Sequence, residues 1–453
     1  MEGGSALELA PAGELKGCWR NSLGIDFSAA LAAAAATHLA GAAWLHFWDR
    51  RRCLPPGGSR LAVVAPVVAL NLVTPLLFCR SEDAIARLIA TFNLTWLASF
   101  KAVSWALNRG PLCMLDLTPV QLLAVYATPL TPAASDNQAA PPRLPPTKAA
   151  TSAAAATTSG HGNGGLGTSS GGNDSGTMQQ QSGSSEPPPG RRAAEAYRAR
   201  RMPRVGSQGR LNEDAGSGAG MLLTWIGKLA LIAAMVWVMQ QPLPGLLQSF
   251  AYGLALYGLL SAIMDGPAAG VIGLTGLRVS PHFDRPWRST SVAAFWSKRW
   301  DLAAGNTLRQ LVYDPVCEGR WVALPPGAAA PPPPSAARMA LGTAASFAVS
   351  GAVHEAIFWY LTGRTTGGVW LCFFLAQVPL IFGERVVLAA LRRRGIRLPG
   401  WLRNIATALL LVATGQLLFW PPAIEHGVVS ALVGNTQTGI LQLAAAVRGV
   451  LLR

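Results

Sequence analysis

Apolar residues fall into long runs separated by short basic loops, and the lengths of those runs predict membrane-crossing helices. Ile25 to Trp48 is long enough to span a hydrocarbon core of about 30 Å, and it ends at the Arg50-Arg51-Arg52 cluster. Leu61 to Cys79 is a second run, and Ile85 to Leu107 a third that carries Arg87 and Lys101. Leu122 to Leu130 is too short to cross and reads as interfacial. Met221 to Gln241 and Leu246 to Met264 read as a helical hairpin, followed by a Gly-rich run, Ala268 to Leu277, too short to span. Met339 to Leu361, Val369 to Leu391, Ile405 to Trp420 and Val428 to Val447 bring the total to about nine spans. The expected fold is an all-α polytopic membrane protein.

One stretch breaks the pattern. Residues 131–219 are dominated by Pro, Ala, Ser, Gly and Gln, a composition that cannot bury a core and predicts disorder. The chain therefore divides into N-terminal transmembrane helices (1–130), a low-complexity cytosolic linker (131–219) and a C-terminal helical core (220–453). If the loop from Arg50 to Arg60 faces the cytosol, counting spans in pairs puts every later basic loop on the same side. Those loops are the Arg-rich end of the linker, 281–321 and Arg392-Arg393-Arg394.

Composition agrees with this reading. Of 453 residues 51% are hydrophobic and only 13% charged, and fifteen Trp suit long membrane–water interfaces. A net charge of +15 would suggest nucleic acid in a soluble chain, but here it resides in short loops and a linker, so no nucleic-acid partner is expected. The six cysteines show no CxxC pair and no metal-ligand spacing, and read as reduced or merely apolar. The first apolar run lacks an evident cleavage site and reads as an uncleaved anchor.

Candidate chemistry concentrates in two places. In PHFDRPWRSTSVAAFWSKRWDLAAGNTLRQLVYDPVCEGRW (281–321), Ser289, Thr290 and Ser291 offer an N-cap for a helix over Val292 to Leu311. On it Phe295, Trp296, Arg299 and Trp300 pair aromatics one turn apart, a pattern that also suits a helix lying on the bilayer surface. About forty residues later His354 lies midway along an apolar run, and an ionisable residue at that depth is a functional candidate. Gly342, Ser346, Ser350 and His354 recur every four residues, giving a small polar helix face that either lines a tunnel or packs closely on a neighbour. In a tunnel of low dielectric the imidazole would be neutral and able to take a proton from a hydroxyl. Glu355 points about 100° away around the helix and reads only as a supporting group. His38 and His46 on the first span, His161 in the linker, and His282 and His426 in loops are weaker candidates without metal-ligand spacing. Outside the low-complexity linker, GxSxG, HxxxxD and glycine-rich phosphate loops are absent, which disfavours a soluble-type hydrolase or acyltransferase.

The ordered set PHFDRPW, FWSKRWD, LRQLVYDP and SFAVSGAVHE resembles the wax synthase branch of the membrane-bound O-acyltransferases. The resemblance implies helices around a buried reaction tunnel in the endoplasmic reticulum membrane. It implies acyl transfer from acyl-CoA, as co-substrate and without cofactor or metal, to a lipophilic long-chain alcohol, giving a wax ester. His354 is then the general base. The family's second polar position, usually Asn or His, falls on Asp301; as an anion it could not donate a hydrogen bond to the thioester. Phe295, Trp296, Trp300 and Ser350 are expected to line the substrate route, and Arg285, Arg288, Lys298, Arg299 and Arg309 to supply cations for coenzyme A. Two alternatives stand beside this: transfer to a sterol or terpenoid hydroxyl, and a proton-coupled transporter using His354 as relay.

Overall fold

In a computed structural model the described residues are 18–451 apart from 52, 115–116, 133–217, 278, 326–327 and 329–330. The expected disordered insert thus lies almost wholly outside the described residues. Among the described residues regular structure is helical, with one isolated antiparallel bridge between Pro132 and Val279. Six helices among the described residues are long and apolar enough to cross a membrane, so the protein is a multi-pass integral membrane protein, although the expected nine spans are not reproduced as such.

Helix α1 (Phe27–Arg51) and α2 (Gly58–Val73, extended to Leu77 by a tighter turn) form the first pair. The third expected span is a rod, α3, made of Ala84–Ala90, a wide π stretch Thr91–Ala98 and Ser99–Ala106. The expected interfacial segment is α4 (Pro119–Ala127), which packs on α1 where Gly41 has no side chain. A Cβ there would come within 2.5 Å of the Tyr126 hydroxyl. After the linker come α5 (Gly218–Val238) and α6 (Gly245–Thr275). The latter corrects the expected end near Met264: the helix runs on through Pro267 and the Gly-rich stretch, because an apolar surround leaves backbone polar groups no better partner than the helix itself. The C-terminal helices are α9 (Ala336–Thr362), α10 (Val369–Arg393), α11 (Gly400–Thr414, continued as far as Glu425) and α12 (Val428–Leu451). Short segments between α6 and α9, labelled α7 and α8, are described with the site below.

The two cations of the third span are buried and employed. Lys101 Nζ donates to the carbonyls of Val125 and Thr128, each at 2.6 Å, and so closes the C-terminal end of α4. Arg87 donates to the Phe78 carbonyl. A third buried cation, Arg109, joins the N-terminal helices to the later half of the chain. Its guanidinium donates to the Trp321 carbonyl at 2.7 Å, the Arg320 carbonyl at 3.0 Å and the Glu318 carboxylate at 2.8 Å.

The cysteine reading requires correction. Cys18 and Cys79 form a disulfide, although 61 positions separate them, because the α1–α2 hairpin and the preceding turn Trp19–Leu23 bring their Cα atoms to 4.5 Å. Sequence spacing carries no trace of a pairing made by a helical hairpin. Cys53 is exposed at the opposite end of that hairpin.

Two measurements follow. Arg109→Ala leaves the partly buried Glu318 and the carbonyls of Arg320 and Trp321 without their donor and is expected to lower stability by about 1–3 kcal/mol, read as an earlier unfolding midpoint in detergent. Peptide mapping without reductant is expected to recover a Cys18–Cys79 cross-linked peptide that vanishes on reduction.

Candidate active site

The stretch expected as one helix over 292–311 is broken in two, and the break places the chemistry. Ser291 caps the first piece by accepting from the Ala294 N–H at 3.0 Å; α7 then runs as Val292–Ala294 and a π turn, Phe295–Arg299. Asp301 ends it with φ at +37°, a left-handed conformation that Asn and Asp adopt more readily than other side chains. The same residue caps the next piece, its Oδ1 accepting from the Ala304 N–H at 3.1 Å. This second piece, α8, comprises Leu302–Leu308, a π turn Arg309–Tyr313 and Asp314–Glu318. Leu302 to Ala304, Asn306, Thr307, Arg309 and Gln310 are buried, so the segment is not an amphipathic helix lying on a membrane surface.

His354 stands on α9 opposite this break. Its Nδ1 lies 2.7 Å from the Ser350 carbonyl, and a carbonyl only accepts, so Nδ1 carries the proton. The neutral ring therefore keeps its basic lone pair on Nε2. Aromatic rings surround the imidazole: Phe374 at 4.2 Å between centroids, Trp96 at 5.5 Å and Trp370 at 6.2 Å. Glu355, read as a supporting group, turns away to hold the start of α10. Its carboxylate accepts from the Thr366 and Leu371 N–H groups at 2.9 and 3.3 Å.

Asp301 and His354 both line a cavity of about 870 Å³, with walls drawn from most of the fold. Phe295, Trp296, Trp300, Arg309 and Ser350 line it too. Trp296 is fixed by its Nε1 donating to the buried Gln377 at 3.2 Å, and Trp300 stacks on Phe295 at 5.3 Å. The N-terminal half contributes Leu88, Phe92 and Trp96. Of the face Gly342, Ser346, Ser350 and His354, the last three line the cavity, whereas Gly342 is a packing position: a Cβ there would meet Tyr313 at 3.0 Å. Both readings of that face hold, at different heights.

The expected cations divide. Arg309 reaches the cavity wall but is paired with Asp314 at 3.2 Å. Arg285, Arg288 and Lys298 are exposed away from it, and Arg299 braces the loop by donating to the Asp284 carbonyl at 2.9 Å. Arg385, not singled out in the sequence, lines the cavity, and with Arg392 and Arg403 it lines an adjoining pocket of about 280 Å³.

A further group escaped the sequence reading. His282, taken as a weak loop histidine, is 2% exposed, with Nδ1 2.7 Å from Asp265 on α6. Asp265 also accepts from Ser261 at 2.9 Å and pairs with Lys228 on α5. The signal was present as two opposite charges inside apolar runs, Lys228 and Asp265, which only the hairpin brings together. Burial pushes the Asp301 carboxyl up to about 6, against the opposing pull of the Ala304 N–H, the charge of His282 and the Ala303 N–H.

Comparison with known proteins points to one family. A profile described as the membrane bound O-acyl transferase family matches residues 279–375, which hold the broken helix and His354. A probable long-chain-alcohol O-fatty-acyltransferase 7 of Arabidopsis thaliana is 29% identical over 207 residues, 44% of this chain and 57% of its own length. A long-chain-alcohol O-fatty-acyltransferase of Simmondsia chinensis is 27% identical over 211 residues, 46% of this chain and 56% of its own. An acyl-CoA–sterol O-acyltransferase 1 of Arabidopsis thaliana is 29% identical over 170 residues, 38% and 46% respectively. The chain spans about half the length of the curated relatives it matches. The resemblance to the wax-synthase-like branch of this family is borne out.

Gly351, one turn before Glu355, lets α9 touch α10, since a Cβ there would meet the Leu371 Cα at 2.9 Å. Gly351→Val is expected to force these helices apart, cost about 1–3 kcal/mol and loosen the ring packing on His354, seen as a lowered unfolding midpoint.

Proposed function

We propose that this protein is an acyl-CoA-dependent O-acyltransferase that esterifies a long-chain alcohol to a wax ester, with His354 as general base. The observation that carries the reading is the geometry of His354. Its Nδ1–H is committed to the Ser350 carbonyl, which leaves Nε2 as the proton acceptor of a ring lining a largely apolar cavity. The volume falls in the range of about 300–1,000 Å³ common for ligand sites.

The reaction follows from that arrangement. Nε2 takes the hydroxyl proton as the alcohol oxygen attacks the thioester carbonyl carbon. The tetrahedral adduct collapses with breakage of the C–S bond, and the imidazolium returns its proton to the departing thiolate. Atoms and charge balance without a covalent enzyme intermediate. Rings packed about His354 exclude bulk water, which favours the ester over thioester hydrolysis. Arg385, Arg392 and Arg403 are better situated than the exposed Arg285, Arg288 and Lys298 to meet the phosphates of coenzyme A.

Orientation and compartment belong to the same reading. The Cys18–Cys79 end of the first hairpin faces an oxidising compartment, which puts the Arg50-Arg51 end in the cytosol and fits the endoplasmic reticulum. A sterol acceptor is the second reading, favoured by one observation: the sterol acyltransferase relative is as similar in sequence as the long-chain-alcohol ones.

Purified protein given labelled acyl-CoA and a panel of fatty alcohols and sterols is expected to form fatty-alcohol esters. His354→Ala is expected to reduce that rate at least about 100-fold. Equal yields from wild type and variant would remove His354 from the mechanism, and solute uptake by proteoliposomes without acyl-CoA would favour transport instead.

A further inference from the structure

The cavity extends unequally on the two sides of His354, and its two limbs differ in character. Along α9 its wall runs from Thr343 through Ser346, Ser350 and His354 to Leu361. At the helical rise, His354 stands about 16 Å from Thr343 but only about 10 Å from Leu361. Thr343, Ser346 and Ser350 put hydroxyls on the longer limb. Arg385 lies about 16 Å along α10 from Phe374, the ring over His354. It thus marks the far end of that limb, where the arginine pocket adjoins. The shorter limb is lined by apolar side chains from four helices. Phe92 and Leu88 follow one another down α3 from Trp96, the ring beside His354. Leu361 comes from α9, Ala423 from the continuation of α11, and Val428 and Leu432 from the start of α12. All of them pack in one contiguous cluster, and Phe92, Leu361, Ala423 and Val428 are buried, so this limb ends in packed side chains. Arg80 donates to the Tyr360 carbonyl at 3.4 Å, which sets this end of α9 beside the Cys18–Cys79 disulfide, away from the arginine pocket.

We propose that the closed apolar limb takes the acyl chain of acyl-CoA, and that Leu88, Leu361, Ala423, Val428 and Leu432 form the stop that limits its length. The inference rests on the acyl-transfer reading of the cavity. With phosphates at the arginine pocket and the thioester at His354, the closed limb is what lies in line for the chain beyond. The alcohol has a separate way in. Phe250 on α6 and Ala408 on the adjacent α11 line the cavity and are also exposed on the outer face of the protein. An apolar alcohol can therefore come from lipid between those helices without passing the stop. Leu88 lies before residues 279–375, and Ala423, Val428 and Leu432 lie after them. Most of the stop is thus built outside the segment that carries the chemistry. Its effect on selectivity is large for a small change in space, since one methylene more or less in an apolar pocket changes kcat/KM about tenfold or more.

The test uses the full chain in lipid nanodiscs, with a ladder of saturated acyl-CoAs against one alcohol and a ladder of alcohols against one acyl-CoA. Ala423→Phe fills the closed limb. It is expected to lower kcat/KM for the longest acyl-CoAs at least about tenfold relative to shorter ones, and to leave the alcohol profile in place. Leu432→Ala opens the same end and is expected to move the acyl optimum toward longer chains. General damage to the fold does not shift the optimum in opposite directions in two variants. A shift of the alcohol profile with the acyl profile unmoved, or no shift in either, overturns the proposal. A second readout needs no turnover and no variant. Palmitoyl-CoA carrying a terminal diazirine is expected, on photolysis, to label peptides that contain Leu88, Leu361 or Val428. Label confined to α6 and to α11 around Ala408 overturns the stop. Labelling at the stop without ester formation would sink the functional reading and leave the assignment of the acyl chain standing.

Discussion

A polar group placed in hydrocarbon must find its partner inside the protein, and that requirement organises this molecule from its periphery to its cavity. Lys101 closes the free carbonyls of a short helix, Arg109 gathers two carbonyls and a carboxylate, and Glu355 holds the first turn of the helix beside it. None of these groups is left over to do chemistry. His354 satisfies the same rule with only one of its nitrogens, and the surplus one is what a cavity can use. The difference between structural and reactive polar residues here lies in how many of their valences the fold consumes.

The break at Asp301 shows the same economy in the backbone. A single continuous helix over 292–311 would place consecutive turns on one line and could not wrap a cavity. The left-handed residue turns the chain, and its carboxylate immediately restarts a helix. Asn meets both local demands as well as Asp does, so the departure from the usual residue at this position leaves the backbone untouched and changes the charge. That change is consequential because the side chain is buried, where ionisation depends on neighbours rather than on water.

Much of this was legible in the chain. Apolar run lengths mark most of the long helices, and His354 stands out because a titratable ring in a greasy run is anomalous under simple transfer energetics. The break after Trp300 was not legible, because 292–311 contains neither Pro nor a glycine at the breaking position, and a left-handed Asp looks like any other Asp. The continuation of α6 through Pro267 escaped for the converse reason, a residue that usually stops helices in water being tolerated in an apolar surround. Contacts made across the fold were invisible in principle: Cys18 with Cys79, and Lys228 and Asp265 with His282, meet only after helices have paired. Cation assignments suffered most, since charge in a loop says nothing of which way the loop faces.

The connection between α9 and α10 has a wider consequence. Gly363, Gly367 and Gly368 all take left-handed conformations in that short loop, which returns the chain so that Glu355 can hold the start of α10 and Phe374 can lie over His354. The loop is therefore a ruler. One inserted residue that displaced the register of α10 would turn its side chains by about 100° and carry Phe374 off the imidazole. Length variation, commonly harmless in surface loops, should be selected against here, at a site that touches no substrate.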